Sequence, residues 1–118
     1  MNRRQALSLA LILLVLAAGA LFVTDRYAKR QALQQEEAYL QSELARSSCV
    51  TNFDTSGTVG DEKATVVDRS LDGRWVRVSH PYWYDTDQTH ADTSSEAVYY
   101  VGLNSVYRVN GESPGPVC

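Results

Sequence analysis

The stretch ATVVDRSLDGRWVRVSH, residues 64–80, decides the fold class. Ala64 to Leu71 and Arg74 to His80 are rich in β-branched residues and flank Asp72-Gly73, the dipeptide that a type I′ hairpin turn prefers. With the turn on that dipeptide, Val67 faces Val78, Arg69 faces Val76 and Asp68 faces Arg77. An apolar pair and an opposite-charge pair in one register support an antiparallel hairpin.

Outward from this hairpin, the residues from Cys49 on are Thr, Val, Tyr, Gly and Asp, a strand-and-turn composition. Asn52 to Lys63 reads as a loop or irregular strand. A second hairpin is expected from Ala97 to Leu103 and Val106 to Val109, turning at Asn104-Ser105. The expectation is therefore a four-stranded antiparallel sheet. One face has to be covered, either by the end of a preceding helix through Leu40 and Leu44 or by the aromatic segment Tyr82 to Tyr84. The Pro- and Gly-rich tail from Gly111 to Pro116 cannot continue a strand and returns Cys118 toward Cys49.

Ahead of the sheet, Asp25 to Arg46 contains no Gly or Pro and is dominated by strong helix formers. Leu33, Leu40 and Leu44, interrupted by Glu37, form a thin apolar stripe. The segment reads as a solvated helical stalk; the alternative, a short coiled coil, would need more heptads than the stripe supplies. Further upstream, Ala6 to Val23 follows Arg3-Arg4 and carries no charge. About 18 such residues can cross a bilayer as a helix. Two readings stay open for it: a retained signal anchor, or a signal cleaved after Ala20, where Ala18 and Ala20 offer an A-x-A-like site. Arg3-Arg4 with Leu7 also resembles a twin-arginine export signal.

The expected fold class is thus α+β: residues 1–24 as cytoplasmic tip and membrane anchor, 25–48 as stalk, and 49–118 as a small domain outside a cell membrane crossed once. About 70 residues bury only roughly 60% of their unfolded surface, so such a domain is marginal alone. The two cysteines of the chain, Cys49 and Cys118, bracket it and read as one disulfide, which belongs in an oxidising compartment. Up to Ser48 six basic residues face four acids, whereas from Cys49 on five bases face ten acids. An acidic outer domain repels phosphates, which argues against nucleic acid as a partner.

Residues that could carry chemistry concentrate between His80 and Glu96. Asp85, Asp87, Thr89, Thr93 and Glu96 fall at positions 1, 3, 5, 9 and 12 of a calcium-loop pattern, but His90 occupies the position that needs Gly. His80 and His90 with Asp85, Asp87 or Asp92 are the candidates for a transition-metal site. Catalysis has no motif: there is no Gly-x-Ser-x-Gly elbow and no glycine-rich phosphate loop. The expectation is a protein without enzymatic activity or cofactor. Tyr82, Trp83 and Tyr84 either supply a core or form a binding surface for a protein or glycan.

The run Thr65 to Arg69, then Asp72-Gly73, then Val78-Ser79-His80-Pro81-Tyr82-Trp83-Tyr84, with Asp92 and Ala97 to Val101, resembles small uncharacterised membrane-anchored proteins of halophilic archaea. The resemblance spans Ala64 to Gly111 and implies an envelope location in a high-salt habitat, with no catalytic residues. In layout the chain also resembles type IV pilins: an apolar helix continuing into a polar half, then an antiparallel sheet with a disulfide near the C-terminus. The leader and the acidic residue of a pilin are missing, since only Met1 to Gln5 precede the run and no acid lies within it. The functional expectation is a membrane-anchored structural or binding module with a protein partner or self-association, and the alternatives are a pilin-like filament subunit or a calcium- or ligand-binding ectodomain.

Overall fold

The computed structural model describes residues 2–20, 23–56, 62–116 and 118. It has an α+β architecture of two helices followed by one antiparallel sheet of five strands: α1 (Arg3–Ala20), α2 (Asp25–Arg46), β1 (Val50–Asp54), β2 (Lys63–Arg69), β3 (Gly73–Thr86), β4 (His90–Gly102) and β5 (Val106–Gly111). The strand order is β1-β3-β4-β5, and β2 also pairs with β3. β1 covers Trp83 to Thr86 of β3, and β2 covers Arg74 to Ser79 of the same edge.

That split explains how a proline is tolerated in the longest strand. Pro81 lies in the window between the two short strands, where β3 has no ladder partner on that edge among the described residues. On its other side it pairs with Ser94 of β4. A missing N–H is accommodated where the ladder is already interrupted.

Several expectations are corrected. The sheet has five strands, because Val50 to Asp54, which overlaps the start of the segment expected as a loop or irregular strand, pairs with the far half of β3; residues 57–61 of that segment lie outside the described residues. Neither hairpin turns where its dipeptide suggested. Ser70 N donates to Gly73 O at 3.0 Å, which places Leu71-Asp72 at the first tip, and Gly102 N donates to Ser105 O at 2.8 Å, which places Leu103-Asn104 at the second. Gly73 is not in the left-handed region that a type I′ turn needs. Its lack of a side chain serves close approach instead: a Cβ there would lie 2.5 Å from Tyr100 Oη. The shift, with a bulge between Val66 and Asp68, sets Ala64 against Val78 and Val66 against Val76, so the expected Asp68–Arg77 pair does not form.

Nor does one helix run from membrane to sheet. α1 ends at Ala20, Leu21-Phe22 lie outside the described residues, and Val23 is buried in the domain core. Thr24 then starts α2 afresh by accepting a hydrogen bond from Tyr27 N at 3.2 Å, an N-cap. The apolar part of α1 from Ala6 to Ala20 is about 22 Å long at 1.5 Å per residue, short of a roughly 30 Å hydrocarbon core. No helix among the described residues is long and apolar enough to cross a membrane.

α2 is not a solvated stalk. Ala28, Ala32, Glu36, Leu40 and Leu44, each four residues from the next, form one buried stripe laid across the sheet. The small alanines meet Val76, Val78, Ala97, Tyr99 and Val101, whereas Leu40 and Leu44 meet Tyr82, with Val50, Phe53 and Tyr84 alongside. Two apolar clusters result, and Glu36 lies between them on the helix.

Candidate functional site

Between those clusters the inward face carries a polar layer built by four elements. α2 supplies Glu36, wholly buried; β4 supplies Tyr99 and Ser95; and β3 supplies His80. β5 adds Arg108, which pairs across the ladder with Tyr99. Tyr99 Oη donates to Glu36 Oε2 at 2.7 Å, while Arg108 donates from Nε to Oε2 and from Nη2 to Oε1, both at 3.2 Å. The forked geometry satisfies both carboxylate oxygens, which is the condition for holding a charge away from water.

The same guanidinium is fixed from two further sides. Its Nη2 donates to Glu112 O at 2.8 Å, and its Cζ lies 4.2 Å from the centre of the Tyr39 ring, a cation–π contact. Gly111 makes this bend possible, since it sits at φ 155° and a Cβ there would lie 2.5 Å from Arg108 Cζ. Burial works against the charge on Arg108, yet the hydrogen bond and charge of Glu36 outweigh it and raise its pKa. For Tyr99, burial first and then the Glu36 carboxylate push the phenol pKa well above its usual range. The site therefore holds one buried negative charge, one partly buried positive charge and a phenol that stays protonated.

A step along the sheet, His80 and Ser95 face each other across β3 and β4. His80 Nδ1 is 3.0 Å from Pro81 O, which assigns the ring proton to Nδ1 because a carbonyl can only accept. Nε2 lies 3.7 Å from Glu62 Oε1, and neither Nε2 nor Ser95 Oγ has a hydrogen-bond partner among the described residues. Ser95 lines a polar cleft of about 340 Å3 between Tyr82, Tyr84 and the tail residues Glu112 to Gly115.

The structure separates the residues singled out in the sequence. Strand alternation turns Tyr82 and Tyr84 inward, stacked at 6.2 Å, and sends Trp83 to the opposite face, so the three do not share one surface. Tyr82 is buried and its Oη accepts from Gly115 N at 3.0 Å. Asp85 and Asp87 sit at the β3–β4 turn, where Thr86 N donates to Thr89 O at 2.8 Å. Glu96 lies opposite Ser79, six residues along β4 from His90, or roughly 20 Å. The calcium-loop residues are thus spread along a hairpin.

His90 is brought to both Asp85 and Asp92, the latter at 3.3 Å, and its ring lies 5.6 Å from that of Trp83. His80 is on the other face. Among the described residues no group of three His, Cys, Asp or Glu side chains could hold a metal ion. Cys49 and Cys118 form the disulfide with Cα atoms 5.6 Å apart.

The polar layer itself was missed because Glu36 reads as one more solvated charge in a polar helix. The available signal was its place in the series Ala28, Ala32, Leu40, Leu44, in which every other member is apolar. No family model, curated protein or solved structure matches the chain.

Proposed function

We propose that the chain is a structural or binding module of the cell envelope, tethered to a membrane by its N-terminal apolar segment, with the disulfide-closed helix-and-sheet domain on the outer side. One observation carries this reading. Leu7, Leu9, Leu11, Ile12 and Leu13 are all at least half exposed around α1, beside a domain that closes its own core with α2. A helix that is apolar all round needs lipid or protein about it. Leu21 and Phe22 continue the apolar sequence beyond α1. The disulfide supports an oxidising compartment.

The test is alkaline carbonate extraction of membranes from cells expressing the full chain, combined with protease protection and mass analysis with and without reductant. The expected result is a disulfide-bonded protein that stays in the membrane pellet with α1 attached and with its sheet domain digestible from outside. Release into the soluble fraction would remove the tether, and free thiols on both cysteines would remove the outward orientation.

A second reading, a subunit of an extracellular filament, is favoured by one feature of the architecture: α2 lies on an antiparallel sheet while Leu7, Leu9, Leu11, Ile12 and Leu13 of α1 are exposed and could pack against α1 of further copies. Electron microscopy and native mass of the purified protein separate the two readings, since a subunit yields ordered polymers and a module does not.

A further inference from the structure

The two hairpin tips and the aromatic ladder behind them form a second apolar surface, on the side of the domain where α1 joins it. Leu71 is 82% exposed at the first tip and Leu103 is 43% exposed at the second. Gly73 and Gly102 are Cα partners, so the two tips are neighbours at one end of the sheet. Behind them on the outward face, Trp75 pairs with Tyr100 and Tyr100 with Tyr107, with ring centres 5.0 and 5.1 Å apart. Exposed leucines ahead of a row of Trp and Tyr follow the depth order of residues at a membrane interface: aliphatic groups in the acyl boundary, amphipathic rings at the headgroups.

The position of this end relative to the tether is fixed by bonds. Asp25, the first residue of α2, accepts from Arg74 Nε at 2.9 Å and from Arg69 Nη2 at 2.6 Å. Arg74 in turn donates from Nη1 to Ser70 O and Gly73 O, both at 2.8 Å, and so grips the base of the first tip. From Ala20 to Val23 the chain can span at most about 11 Å at roughly 3.6 Å per residue. Wherever α1 points, its end stays close to the tips. Arg26, Lys29 and Arg30 in the first turns of α2 are exposed on the same end and suit anionic headgroups. Asp72 beside Leu71 keeps the contact shallow.

Resting on the tether reading above, we propose that this end of the domain sits on the lipid surface, with Leu71 and Leu103 inserted at the headgroup boundary and Trp75, Tyr100 and Tyr107 at headgroup level. The domain is then held against the bilayer at a fixed tilt, with the β3–β4 turn directed away from it.

The chain contains two tryptophans, and the sheet makes one the control for the other. Trp83 is on the same outward face as Trp75 but eight residues further along β3, roughly 26 Å away. The full chain, as Trp83→Phe or Trp75→Phe, is reconstituted into vesicles of phosphatidylcholine and phosphatidylglycerol with or without acyl-brominated lipid. Contact at the tips predicts at least ~2-fold quenching of Trp75 and almost none of Trp83, consistent with Trp at the interface. Leu71→Ser with Leu103→Ser, at two exposed positions, should abolish most of that quenching. If the chain floats with the vesicles but both tryptophans are quenched alike, or neither is, the surface contact is wrong and the tether stands. A chain that does not float with the vesicles removes the tether and this inference together.

Discussion

Two carboxylates of the same helix reach the same sheet by the same chemistry, in opposite surroundings. Asp25 binds Arg69 and Arg74 at the start of α2, with its side chain 42% exposed, whereas Glu36 binds Tyr99 and Arg108 three turns later with none of its surface exposed. At Asp25 water competes for the carboxylate and for Arg69, whose side chain is 57% exposed, so the ion pairs hold the tip of a hairpin in place without adding much stability. At Glu36 the partners replace water altogether. Losing one of them leaves a charge with nothing to solvate it.

The largest expected effect follows from that difference. Glu36→Ala removes the only carboxylate facing Arg108 from α2 and leaves Tyr99 Oη without its partner, and it should cost about 3–5 kcal/mol, read as a lowered midpoint in urea followed by tryptophan fluorescence. The triple change Glu36→Leu, Tyr99→Phe, Arg108→Met replaces the whole arrangement by apolar groups. It should recover most of that loss or exceed wild-type stability by about 1–4 kcal/mol, as such replacements often do. A triple variant as unstable as Glu36→Ala would mean that the layer is needed for more than mutual neutralisation, for instance to hold α2 in one register on the sheet.

Next in size is the disulfide. A bridge that closes a loop with a sequence separation of 69 stabilises by roughly 4 kcal/mol in the chain-entropy model. It also holds the tail that offers Glu112 O to Arg108 and Gly115 N to Tyr82. Cys49→Ser with Cys118→Ser should therefore loosen the buried site more than the exposed one. Hydrogen exchange would register this as faster exchange near Arg108 than near Arg74. Equal acceleration at both would show that the tail plays no part in fixing Arg108.

Much of the fold is legible in the sequence, and what is not has identifiable causes. β-branched runs between turn residues announce strands, and two cysteines at the ends of the domain announce their bridge. The turn positions were misread because Asp72-Gly73 is a good turn sequence in isolation, whereas here Gly73 is needed in the strand under the ring of Tyr100. That requirement comes from a residue 27 positions away, and no local rule contains it. The α2 stripe looks thin in the sequence because small alanines and one glutamate resemble surface residues, although small residues are what let a helix lie close to a sheet. Tyr82, Trp83 and Tyr84 are adjacent in sequence, and strand periodicity alone would have divided them between two faces.

The exposed pair of the comparison should show itself mainly in acid. The hydrogen bonds from Arg69 and then Arg74 hold the Asp25 carboxyl at about 2, below its ordinary value of 3.8. A depressed carboxylate contributes stability that is complete above the unfolded pKa and fades as pH falls toward the folded one. Asp25→Asn should thus differ slightly from wild type at neutral pH and converge with it near pH 2. Its unfolding midpoint followed against pH measures this, and a constant difference down to pH 2 would show that Asp25 acts by something other than its charge.

The smallest effect sits at the far end of the sheet and has the opposite sign. His90 is exposed between Asp85 and Asp92, and the hydrogen bond to Asp85 raises its pKa above 6.5. A raised histidine contributes stability that is present below its unfolded pKa and is lost as pH rises through the folded one. NMR titration of the imidazole should find a midpoint above 6.5 that falls in Asp85→Asn and falls less in Asp92→Asn, because Asp85 is the larger cause. Stability near neutrality should barely respond, since water screens all three groups. If Asp92→Asn lowered the midpoint more than Asp85→Asn, the ring would be held mainly by the neighbouring strand, and the β3–β4 turn would be freer than the sheet beneath it.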